Sequence, residues 1–191
     1  MSLLLNFLWV LGVEYFQNLP CILGIVFAWA GFKSGLVWWK WLLILLIGNF
    51  GCAILIVAMD RIKLLPTTLT SGSQDLANII RMGTIFSVAS GLLLLYFALT
   101  TKLRKPFWAD VVFGVIVAVL IAVVETLGNF APSVILMHAL GFAAAGACLV
   151  TLIRRSADLP PGRDRLIRVG LITLVMSVLI VIFDYLPHLR G

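Results

Sequence analysis

Residues 36–59 read LVWWKWLLILLIGNFGCAILIVAM, and from Trp41 to Met59 no side chain carries a charge. A helix that crosses a membrane needs about 20 mostly apolar residues, because hydrocarbon offers the backbone no hydrogen-bond partner outside the helix itself. This stretch meets that requirement. Working outward from it, five further segments do so at 5–31, 76–100, 107–130, 132–153 and 166–186. The chain as a whole is 62% apolar and 12% charged, whereas a soluble domain keeps about 25% of its residues charged. Its mean hydropathy is +1.15. The expectation is an all-α, polytopic integral membrane protein, one domain over residues 1–191 built as a bundle of six transmembrane helices.

Helix boundaries are marked unevenly. The first segment contains Asn6, Glu14, Gln17, Asn18 and Pro20, so a tilt or a kink near the proline is expected. Gly128-Asn129-Phe130-Ala131-Pro132 predicts a tight hairpin, since Gly and Asn end helices and Pro suits the first turn of the next. The larger connections are expected at 64–75 and at 154–165, the latter around Pro160-Pro161-Gly162.

Orientation follows from the basic residues, which are enriched in loops that stay in the cytoplasm. The connections after the first, third and fifth segments hold Lys33, Lys40, Lys102, Arg104, Lys105, Arg154, Arg155, Arg163, Arg165 and Arg168. The other side holds Arg61, Lys63 and Arg190. This bias predicts a multi-pass protein of the plasma (inner) membrane with both termini extracytoplasmic, and it accounts for the net charge of +6. A cleavable signal peptide is not expected, because no basic run precedes the first apolar stretch. Trp38, Trp39 and Trp41 around Lys40, with Trp108 near Lys105, read as an aromatic belt at the cytoplasmic interface.

Several function classes drop out. The basic residues lack the interleaved aromatics of a nucleic-acid surface, so no nucleic-acid partner is expected. There is no glycine-rich phosphate loop, HExxH, acidic magnesium motif or GxSxG elbow. Cys21, Cys52 and Cys148 stand in separate apolar segments, without a CxxC pair. With His138 and His188 as the only histidines, no cofactor is expected. A metal site from Glu14, Glu125 and His138 is chemically possible but dispersed over three helices, so the metal question stays open.

The informative residues are ionisable or polar groups placed inside apolar segments, where each must face protein or a water-filled space. At about 1.5 Å of rise per residue, Glu14, Arg81, Glu125 and His138 fall at similar depths in the extracytoplasmic half of four helices. Glu14, Gln17, Asn18 and Cys21 form one stripe at i, i+3, i+4 and i+7. Gln74, Asn78 and Arg81 form another. Glu125 and Asn129 tip a face with Ala118 and Ala122, and Gly170, Thr173, Ser177 and Asp184 align on the last segment. Asn49 and Asp60 share a face of the second segment. Asp110, in the first turn of the fourth, is expected to favour the helix N-terminus. Asp158 and Asp164 are expected to pair with arginines of their own loop.

The predicted ligand-binding set is Glu14, Asn18, Asn78, Arg81, Glu125, Asn129, His138 and Asp184. Arg81 cannot neutralise both Glu14 and Glu125, and the surplus acid suggests an extracytoplasm-facing polar chamber for a cation, a proton or a small polar or cationic solute. Two alternatives stand beside this reading. In one, the chain is an accessory or assembly subunit whose polar groups fix helix register or meet a partner membrane subunit. In the other, it is an intramembrane enzyme acting on a lipid or isoprenoid, against which the missing catalytic constellation counts. Small residues every fourth position (Gly83, Ser87 and Gly91; Ala139, Ala143 and Ala147) predict close helix approach within the bundle or in a homo-oligomer.

Overall fold

A computed structural model describes residues 3–62, 75–101, 106–127 and 132–182. All described regular structure is helical: α1 Leu3–Lys33, α2 Trp38–Arg61, α3 Asp75–Thr100, α4 Pro106–Leu127, α5 Pro132–Ala157 and α6 Arg163–Ile180. By length and composition, Leu4–Lys33, Trp38–Arg61, Asp75–Thr100 and Ala139–Ala157 can cross a membrane, and Phe107–Leu120 is a shorter apolar stretch. The protein is therefore all-α with several membrane-spanning helices. The expected sixth span is less apolar than the others. α6 has 18 residues and opens with Arg163, Asp164, Arg165 and Arg168, so its first turns are polar.

α1 is the hub. It packs against α2, α3, α5 and α6, while α4 packs mainly along α5. Contacts between non-adjacent helices put the C-terminal ends of α1, α3 and α5 together with the N-terminal ends of α2, α4 and α6. Trp29 lies 5.2 Å from Phe97 between ring centroids, and Arg165 sits 5.6 Å over the Phe27 ring. This end carries Lys33, Lys40, Arg154, Arg155 and Arg163, and we call it the basic end.

Two close crossings set the packing. A Cβ on Gly48 would lie 2.6 Å from the Pro20 carbonyl oxygen and 2.7 Å from the Gly24 Cα, so α1 and α2 meet backbone to backbone there. On the other side of the bundle, a Cβ on Gly114 would lie 2.5 Å from the Ala143 oxygen. The expected Ala139–Ala143–Ala147 stripe is thus used inside the chain, between α4 and α5. Without a hydrophobic drive between helices in lipid, such contact and polar pairing must hold them together. α1 runs through Pro20 as one helix, although proline removes one ladder hydrogen bond.

The apolar core lies toward the basic end: Ile22, Ile25, Val26 and Trp29 of α1 pack with Leu45, Phe97, Ile153 and Ile172. A smaller cluster of Val10, Val13 and Val181 lies toward the other end. On α1 the polar stripe separates the two.

α4 ends at Leu127 and α5 starts at Pro132, the proline position expected for a helix start. The connecting residues 128–131, including Asn129, lie outside the described residues, as do 63–74 and 183–191 with Asp184 and His188. The expected loop 154–165 is shorter in the structure. α5 continues to Ala157, because Arg154 turns inward and Arg165 donates to the Leu159 and Ala157 carbonyls at the helix end. Asp158 also departs from expectation. It pairs with Lys33 at the end of α1, not with a loop arginine, and so ties the first helix to the fifth.

Candidate functional site

The α1 stripe is buried as its spacing requires. Glu14 is 4% exposed, Gln17 5% and Asn18 8%. The Asn18 side-chain amide donates to both the Glu14 carbonyl (2.8 Å) and the Glu14 Oε2 (3.0 Å). One turn on, the Cys21 thiol donates to Asn49 Oδ1 at 3.1 Å. Ser90 Oγ donates to the same oxygen at 3.2 Å. The stripe therefore faces α2 and α3, and Asn49, with 0% exposure, is where the three helices exchange hydrogen bonds.

This layer is incompletely satisfied. Among the described residues, Gln17 Oε1 and Asn49 Nδ2 are buried without a hydrogen-bond partner. A buried polar atom left unpaired costs about 1–3 kcal/mol. Asn49 lies halfway along α2 and Ser90 beyond the middle of α3, so the layer sits deep between the helix ends. Oxygen atoms dominate it: the Glu14 carboxylate, the Gln17 amide oxygen and the Ser90 hydroxyl. Such a set suits a cation or a hydrogen-bond donor.

Of the other predicted residues, Asn78 is half-buried near the start of α3. Arg81 is exposed on α3 and makes no ion pair with a described residue. Glu125 lies on α4 and His138 on α5, with their side chains outside the described residues, as are Asn129 and Asp184 entirely. The structure thus brings Glu14 and Asn18 into contact. The Thr173 and Ser177 hydroxyls on α6 donate to their own helix at Val169 O (2.9 Å) and Thr173 O (2.8 Å), so those donors are already used. Among the described residues no three His, Cys, Asp or Glu side chains are placed to hold a metal ion.

A second polar cluster lies at the basic end. Asp110 is 1% exposed and accepts from Arg154 Nη2 at 2.6 Å, Tyr96 Oη at 2.9 Å and Thr151 Oγ1 at 2.9 Å. Arg154 also donates to Thr100 Oγ1 at 2.9 Å, and its guanidinium carbon lies 4.8 Å from the centre of the Phe97 ring. The cluster joins α3, α4 and α5. Asp110 is thus the acceptor of a buried pair, where the sequence suggested a charge at a helix start. The signal was present in the i, i+4 pair Tyr96 and Thr100 and the i, i+3 pair Thr151 and Arg154, two polar stripes on otherwise apolar helix segments.

Compared with known protein families, curated proteins and solved structures, the chain matches none.

Proposed function

We propose that this multi-pass membrane protein binds, and carries across the bilayer, a cation, a proton or a small polar or cationic solute. The site is centred on Glu14, with Gln17, Asn18, Asn49 and Ser90. The observation that supports the reading is the unsatisfied polar layer: a carboxylate 4% exposed, with Gln17 Oε1 on the same α1 stripe and Asn49 Nδ2 on α2 buried and without a hydrogen-bond partner among the described residues, between two apolar clusters on α1. A purely structural network gains most when every member is satisfied. Open acceptor and donor positions at mid-helix are what a transient ligand would fill.

Glu14 would supply the charge and Gln17 an oxygen, while Asn18 holds the Glu14 carboxylate. Glu125, Asn129, His138, Asn78, Arg81 and Asp184 belong to the same proposal as groups at the extracytoplasmic end, where they would line the approach. By the charge rule the basic end is cytoplasmic, all six helices cross the plasma (inner) membrane, and both termini are extracytoplasmic.

The test is thermal unfolding of the purified full chain with sodium, potassium, magnesium and small organic ammonium salts, from mildly acidic to mildly alkaline pH. A true ligand at a hundredfold its Kd stabilises by about 2.7 kcal/mol. The reading predicts that one of these conditions stabilises wild type and that the effect disappears in Glu14→Gln. A uniformly flat wild-type response would instead favour the accessory-subunit reading.

A further inference from the structure

We propose that the cavity at the basic end, between the start of α4 and the end of α5, binds the phosphodiester headgroup of an anionic membrane lipid, with Arg155 as its main cationic contact. The cavity holds about 490 Å³. Phe107 and Trp108 form one wall, and Thr151, Arg154 and Arg155 the other.

The local charges leave one cation over. Asp110 at the floor is matched by Arg154, and Asp158 at the rim by Lys33. Arg155 is exposed, and its side chain makes no hydrogen bond or ion pair with a described residue. Phe107 and Trp108 belong to the first turn of α4, whose positive dipole end reinforces the preference for an anion. A planar guanidinium matches a phosphate in two-point geometry, which a lone ammonium cannot do.

The apolar surface beside the cavity decides between a lipid and free phosphate. Trp108, Val112, Val115 and Val119 are 62%, 58%, 51% and 56% exposed and follow one another at i, i+4, i+7 and i+11. They form a continuous apolar track along α4 that starts at the cavity wall. An acyl chain attached to a headgroup held at Arg155 would lie along it, and the exposed indole would rest at the interface where tryptophans anchor. Inorganic phosphate would leave the track unused.

The experiment is native mass spectrometry of the delipidated full chain in mild detergent. It would be titrated separately with phosphatidylglycerol, phosphatidylcholine and inorganic phosphate. Wild type is expected to retain phosphatidylglycerol in preference to phosphatidylcholine. Arg155→Gln should weaken that retention by about fivefold, the worth of one basic residue at an anionic surface. Arg155→Lys should weaken it by less, and Arg163→Gln, outside the cavity, should bind as wild type does. Thermal unfolding of each variant would show that the fold is kept. Equal retention by Arg155→Gln and wild type would overturn the proposal, as would equal binding of phosphatidylcholine. Blocking of lipid binding by inorganic phosphate alone would overturn the lipid as the occupant.

Discussion

Arg154 reaches back from the last turn of α5 to place Nη2 2.6 Å from Asp110 Oδ1. The carboxylate it meets is 1% exposed and also held by Tyr96 and Thr151. The pair closes α3, α4 and α5 at the end of the bundle where α4 otherwise touches little but α5.

Breaking one side of that pair leaves an uncompensated charge away from water. Arg154→Ala or Asp110→Ala should lower stability by about 3–5 kcal/mol, whereas replacing both by apolar residues of similar volume should cost much less. Thermal unfolding of the two single variants and the double variant would show this non-additivity.

The Lys33–Asp158 pair offers the contrast, since its side chains are 40% and 51% exposed. Lys33→Ala should change stability by about 1 kcal/mol or less, because exposed pairs are solvated and screened. Unfolding at low and high salt should show that small difference shrinking.

Gly48 faces backbone. Gly48→Ala puts a Cβ 2.6 Å from the Pro20 oxygen, and neither helix can relieve this without separating, so a clear loss of thermal stability is expected and a larger one for Gly48→Leu. Gly12→Ala and Gly91→Ala meet nothing within 4 Å. They should be neutral or gain up to about 1 kcal/mol from helix propensity. A stability scan of these variants checks the α1–α2 crossing directly.

The helices were legible in sequence because hydropathy alone decides whether a segment can enter lipid, and residues that mark their boundaries, such as Pro132 at the start of α5, act locally. The Glu14–Gln17–Asn18–Cys21 stripe was legible for the same reason: helical spacing alone puts those residues on one face. What that face would meet was not. Asn49 and Ser90 reach the stripe through the rotation of α2, which the Gly24–Gly48 crossing sets, and through that of α3. Asp110 and Arg154 are 44 positions apart, and each had a simpler local reading, at a helix start and in a basic loop. Their union depends on α5 running on to Ala157. Asp158 likewise met Lys33, 125 positions away, where proximity in sequence suggested an arginine of its own loop.

The layer around Glu14 is proposed as a ligand site and not just a helix clasp. The ligand-induced shift in unfolding temperature of wild type, Glu14→Gln and Asn49→Ala, under one set of cations, organic ammonium salts and pH values, separates the two. Interhelical hydrogen bonds in membranes average about 0.6 kcal/mol each, so losing the two at Asn49 should leave a folded protein. A ligand site gives a shift in wild type that both variants lose while their unliganded unfolding temperatures stay close to that of wild type. No shift in wild type under any condition, together with a Glu14→Gln chain that no longer folds, would contradict it.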